Sequence, residues 1–203
     1  MKKGERRKRE LIQIAYKMFL TLGYENTSVD EIIREANIAK GTFYYYFKSK
    51  EQMLEEVIGM MIEEEARKAR LILDSDQQVP RKIMAIMAEF RPARDEQAIG
   101  DALNQPENIL MHEKTNRKII DTILPLLSEV VEEGIQKGIF CCDHITERLR
   151  IILIVSNSLF DEHSKYSKDD ITVFIDLIEK MLGAKSGTMG FVKDLINNTE
   201  KKR

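Results

Sequence analysis

The unbroken aromatic run Phe43-Tyr44-Tyr45-Tyr46-Phe47, set between Lys40-Gly41-Thr42 and Lys48-Ser49-Lys50-Glu51, is too short and too polar at its edges for an ordinary core helix. On a helix turning about 100° per residue, Ala39, Phe43 and Phe47 share one face, with Tyr46 at its margin. Gly41, Tyr44 and Tyr45 fall opposite, flanked by Lys40 and Thr42. The first face is apolar and buries. The second offers hydroxyls, an ammonium group and a glycine that admits close backbone approach, a set suited to phosphates and base edges.

The residues before the run restrict the fold further. Leu11, Ile14, Ala15, Met18, Phe19 and Leu22 repeat at helical spacing over residues 8–22 and stop at Gly23, which predicts an amphipathic first helix. In Thr27-Ser28-Val29-Asp30-Glu31, Ser28 is placed to cap a second helix and Glu31 to complete a capping box, with Val29, Ile32, Ile33 and Ala36 inward. Asn37 tolerates left-handed backbone and supplies the turn before a third helix starting at Ala39. Two short helices joined so tightly, the second with an exposed aromatic and basic face, describe a helix-turn-helix. Ser49 with Gln52 predicts a second capping box, opening a fourth helix whose stripe of Met53, Leu54, Val57, Ile58, Met61 and Ile62 continues to about Leu73.

Composition extends the helical reading to the whole chain. At 203 residues and 43% hydrophobic content, the sequence supports a folded core. Only four prolines and ten glycines, with Leu, Ile, Met, Glu and Lys dominant, predict an all-α protein. The formal net charge of −2 conceals a division: through residue 50 there are eleven basic residues against six acidic, and the rest of the chain is acidic. A basic head on an acidic body directs the head at a polyanion. No apolar run approaches the ~18 residues of a membrane span and no leader follows the basic start, so a cytoplasmic protein with no membrane partner is expected. Cys141 and Cys142 are adjacent, which strains a disulfide, and the three histidines are scattered; neither metal nor cofactor is expected.

Residues 1–50 therefore form the expected head, 50–73 a connecting helix and 74–203 a helical body. Pro80 follows a turn-rich segment, and further helices are expected near 80–90, 94–103, 106–111, 115–137, 144–162 and 169–183, with a weaker one at 189–198. Pro125 should kink the 115–137 helix or free a carbonyl. From Leu149 to Val155 all but Arg150 are aliphatic, and Ile171, Phe174, Ile175, Ile178, Met181 and Leu182 form a wide stripe. These two helices either make a four-helix contact between two copies or fill the core of one chain.

Taken together, Gly23-Tyr24, Thr27-Ser28-Val29, Ile32, Ala36, the run Ile38 to Phe47 and Ser49-Lys50-Glu51 resemble the N-terminal signature of the TetR family of transcriptional regulators over about residues 8–60. The remainder is similar in size, helicity and the Gly138-Ile139-Phe140 turn. The resemblance implies a homodimer formed through the 144–162 and 169–183 helices, a double-stranded, palindromic DNA operator, and a body enclosing a small-molecule effector that moves the fourth helix and releases the DNA. It implies phosphate contacts from Thr27 and Ser28, groove contacts from Lys40, Gly41 and Thr42, and phosphate contacts from Tyr44, Tyr45 and Lys50. Tyr46 stands where such proteins often carry histidine and is a further candidate contact, while Asn37 replaces the commoner glycine of the turn. The basic segment Arg6 to Arg9 either reaches phosphates or an adjacent minor groove, or is a solvated tail.

For the effector, Met84, Met87, Phe90, Ile109, Met111, His112, Ile123, Leu127, Asn157, Phe160 and Tyr166 lie on segments that would line a pocket, with His112 and Asn157 placed to orient a ligand. An enzyme is disfavoured, because the chain lacks a glycine-rich phosphate loop, HExxH, GxSxG or a credible carboxylate pair. A helical module that binds protein partners without DNA is the remaining alternative.

Overall fold

The structure, a computed structural model, describes residues 3–91, 96–159 and 165–192. Regular structure among these residues is helical: α1 (Lys3–Leu22), α2 (Val29–Glu35), α3 (Lys40–Tyr46), α4 (Lys50–Leu73), α5 (Val79–Glu89), α6 (Gln97–Leu103), α7 (Ile109–Gln136), α8 (Ile145–Leu159) and α9 (Lys168–Leu182). They belong to two compact units, one within residues 1–65 and 90–119, the other within 66–89 and 120–203.

In the first unit the apolar stripes expected from the sequence meet. Leu11, Ile12, Ala15 and Phe19 of α1, Ile32 of α2, Phe43 and Phe47, and Met53, Leu54, Val57, Ile58 and Ile62 of α4 form one buried core. That core also contains Ile99 and Ala102 of α6, which packs on α1. Ser28 caps α2 as expected: its hydroxyl accepts from the Glu31 amide at 3.2 Å, and the Glu31 carboxylate accepts from the Ser28 amide at 2.7 Å. Asn37 has φ of 47°, the left-handed backbone expected of the turn. The cap of α4 differs from expectation. The Ser49 hydroxyl accepts from the Gln52 amide, but the Gln52 side chain reaches past Ser49 to accept from the Lys48 amide at 2.7 Å.

The expected 106–111 and 115–137 helices are replaced by a 3-10 turn at Pro106–Asn108, in the first unit, and one 28-residue helix, α7, whose residues 109–119 belong to the first unit and 120–136 to the second. Asn108 is buried and its side-chain amide donates to the Ala102 carbonyl at 2.7 Å, so the break falls there and the polar stretch after it stays helical. Pro125 lies inside α7, where buried Ile123, Leu124, Leu126 and Leu127 surround it in sequence; packing outweighs the lost hydrogen bond. After α7, the Phe140 ring covers Gly134 so closely that a Cβ there would sit 2.3 Å from it. Ser167 and Asp170 form a capping box on α9, which ends at Gly183 with φ of 63°. A Cβ on Gly183 would lie 2.0 Å from the Cys141 carbonyl oxygen, so glycine is required twice over. The expected 189–198 helix lies largely outside the described residues.

Capping makes stability acid-sensitive. Backbone and side-chain hydrogen bonds from Ser28 hold Glu31 below the usual carboxylate range, those from Ser167 do the same for Asp170, and Lys137 and then Lys82 do so for Glu133. A carboxyl lowered in the folded state contributes stability above its unfolded value, and that contribution disappears as pH falls through the folded one. The urea midpoint should therefore stay level from about pH 7 to about pH 5 and fall progressively below about pH 4. Glu31→Gln, which keeps an acceptor but cannot titrate, should reduce that acid dependence.

Candidate nucleic-acid interface

The seven residues of α3 and Phe47, which caps its end, divide as the helical phase requires. Phe43 and Phe47 are fully buried, whereas Tyr44 is 48% and Tyr45 80% exposed. Phe43 and Phe47 pack with ring centroids 5.5 Å apart, and the Tyr44 ring stands edge-on to Phe43 at 5.4 Å. The buried phenylalanines thus fix the direction of the exposed tyrosines. Gly41 is exposed, and a Cβ there would meet nothing within 4 Å, leaving open space at the start of the helix. Lys40 is exposed and Thr42 half-buried beside it. Tyr46 turns elsewhere: its ring lies against Tyr45 and Phe47, and its hydroxyl lies 3.7 Å from where a Cβ of Gly4 would stand, on the first turns of α1.

Basic groups around α3 are held by internal partners. The Lys40 ammonium pairs with Asp30 of α2 at 3.2 Å. Lys50 donates to the Tyr24 carbonyl at 2.9 Å and sits 4.1 Å above the Tyr24 ring. Burial, with Glu51, Glu25 and Glu107 adding, pushes the Tyr24 hydroxyl up to about 12, so that ring stays neutral beneath the cation. Thr27 is fully buried and its hydroxyl donates to the Gly23 carbonyl at 2.8 Å, tying the turn between α1 and α2. Ser28 is exposed at the start of α2 while serving as its cap.

The Arg6 to Arg9 segment is neither a tail nor wholly outward-facing, because α1 already begins at Lys3. Arg7 donates to the Ala36 carbonyl at the end of α2 at 3.3 Å, and Lys8 pairs with Glu56 of α4 at 2.6 Å. These two cations brace the head. Arg6 pairs with Glu10 at 3.7 Å, and Arg9 is exposed. The braces were invisible in the sequence, since Arg7 and Ala36 stand 29 residues apart and Lys8 and Glu56 48 apart.

Residues 11–57 match the family model described as bacterial regulatory proteins, tetR family, and residues 93–180 match a tetracyclin repressor-like C-terminal domain. The HTH-type transcriptional repressor KstR2 of Mycolicibacterium smegmatis is 30% identical over 66% of this chain and 67% of its own length. The chain belongs to the TetR family. It is a DNA-binding transcriptional regulator. The HTH-type transcriptional regulator YhgD of Bacillus subtilis is 26% identical over 84% of this chain and 93% of its own length. Among solved structures, RolR in complex with resorcinol superposes with a TM-score of 0.66 at 19% identity, covering 95% of this chain and 93% of that one, which establishes the shared all-α fold.

The effector-lining candidates of this TetR-family chain fall into different surroundings. Phe90 and Met111 pack on the core of the first unit, and half-buried His112 has its Nδ1 3.4 Å from the Asn116 side-chain amide. Met84 and Met87 are half-buried on α5, whereas Ile123 and Leu127 are buried on α7. Asn157, read as a polar group among apolar neighbours, is exposed on α8, and Ile109 is exposed at the start of α7. Tyr166 is half-buried, and Phe160 lies outside the described residues. No helix among the described residues is long and apolar enough to cross a membrane.

Proposed function

We propose that this chain acts as a cytoplasmic homodimeric repressor that holds a palindromic operator and releases it when a small molecule binds its body. The observation that carries the DNA side is the division of residues 40–47 into buried Phe43 and Phe47 and outward Lys40, Gly41, Tyr44 and Tyr45. In this reading Lys40, Gly41 and Thr42 meet the groove, and Ser28, Tyr44, Tyr45 and Lys50 meet phosphate. Thr27 acts through the turn it ties, and Tyr46 through the contact of its ring with Tyr45. Residues 1–50 would serve DNA, 50–73 connect, and 74–203 take the effector and the partner copy.

Two observations support the rest. Ile151 and Ile154 on α8 and Val173 and Leu177 on α9 expose apolar side chains at helical spacing, a face that a second copy would cover. KstR2 is named a repressor, and RolR was crystallised with a small phenol, which supports repression and a small organic effector here. The chain would act by binding rather than turnover.

Selection of bound duplexes from random DNA tests this directly. A palindromic site should be enriched, and log affinity should fall linearly with log salt, each neutralised phosphate contributing about −0.9 to the slope. Tyr44→Phe should weaken binding to all duplexes alike, Lys50→Ala should also reduce the slope by about 0.9, and Thr42→Ala should blur sequence preference. Binding that ignores salt, or no enrichment by folded protein, would sink the reading.

A further inference from the structure

We propose that Asp30 is a specificity-determining residue of the DNA interface, restraining the Lys40 ammonium so that its charge is not spent on phosphates of arbitrary sequence. The inference rests on the reading above that Lys40 faces the groove. Asp30 and Lys40 are ten residues apart and are brought together by the turn at Asn37, Oδ1 to Nζ at 3.2 Å. Both side chains are largely exposed, 76% for Asp30 and 65% for Lys40, so the pair is weak and readily exchanged for a DNA acceptor.

Asp30 has no part in the cap of α2. Ser28 and Glu31 form that box between themselves, so the Asp30 carboxylate is an additional negative charge on a surface that meets a polyanion. It is carried on the first turn of a capped helix and stays in place when Lys40 moves. Whatever Lys40 grips then lies within a Debye length of the carboxylate, about 8 Å at physiological salt. On arbitrary DNA, Lys40 meets a phosphate instead of a base edge, which sets the Asp30 carboxylate against the backbone charge whether or not the pair is kept.

A guanine edge in the major groove presents O6 and N7 as neutral acceptors. An ammonium group has three donors, so Lys40 can keep one on Asp30 and give the others to such an edge. The carboxylate lies beside neutral acceptors in that complex and beside a like charge in the other. Asp30 thus sets a difference between two binding modes, which is what specificity consists of.

The test compares affinity for a duplex selected by the wild-type protein with affinity for a scrambled duplex of the same composition, across a salt series. Asp30→Asn should tighten binding to the scrambled duplex by roughly three- to tenfold and steepen its salt slope by about 0.9. The selected duplex should gain less, so the ratio between the two falls. Asp30→Ser, which also suits a helix start, should give the same ratio, and both variants should melt with the wild type. In a Lys40→Ala background, Asp30→Asn should no longer change the ratio. If Lys40→Ala leaves binding to both duplexes untouched, the interface reading itself fails. If Lys40→Ala weakens the selected duplex but Asp30→Asn leaves the ratio unchanged, or lowers affinity for the selected duplex alone, the interface stands and the role given to Asp30 is wrong.

Discussion

Ile99→Ala should destabilise the first unit by roughly 2–5 kcal/mol and remove DNA binding near physiological temperature, although Ile99 is buried and has no polar side-chain group. Ile99 is 1% exposed and shares a core with Leu11, Ile12, Phe19, Phe43 and Met53. Truncation removes its own burial energy and leaves a cavity among side chains already fixed by four other helices. The loss is large because a unit of this size holds little stability in reserve. A urea titration followed by DNA affinity at low temperature separates the two effects. The midpoint should drop sharply, and affinity should recover where the variant is still folded. If affinity falls at full stability, α6 shapes the DNA-facing surface itself.

Glu133→Ala should cost about 3 kcal/mol, more than Lys82→Met at the other end of the same ion pair. The Lys82 side chain is 5% exposed and donates both to Glu133, at 2.9 Å, and to the Leu73 carbonyl at the end of α4, at 2.8 Å. Removing Glu133 leaves a buried ammonium with one neutral acceptor. Lys82→Met removes the buried charge itself, and Glu133, 26% exposed and also paired with Lys137, remains solvated. The double variant should therefore resemble Lys82→Met rather than the sum of both. Urea denaturation at a fixed protein concentration measures all three, and equal costs for the two single changes would show that the pair is not desolvated in the way its burial indicates.

The helical class, the turn at Asn37, the Ser28 box and the sorting of Phe43 and Phe47 from Tyr44 and Tyr45 were all legible in the sequence. Each depends on residues within one or two helical turns of each other, where spacing and cap chemistry dictate geometry. The end of α6 at Leu103 was legible, but the continuity of α7 from Ile109 was not, because the chain breaks before it where the buried Asn108 side chain bonds the Ala102 carbonyl, a contact no local propensity encodes. Tyr46 was ambiguous for a related reason. Its phase put it at a margin, and only the packing against Phe47 and the nearness of Gly4 give it a direction.

Local sequence thus carries a helical DNA-binding regulator with an exposed aromatic and basic surface within residues 40–50. What restrains that surface comes from contacts between distant segments: Asp30 on Lys40, the Tyr24 carbonyl and ring on Lys50, Arg7 and Lys8 bracing α2 and α4, and α6 inside the core of the head. The physical reason is distance along the chain. A hydrophobic period or a cap is written within a few residues, whereas an ion pair or a core contact between segments tens of residues apart forms only where the fold brings them together.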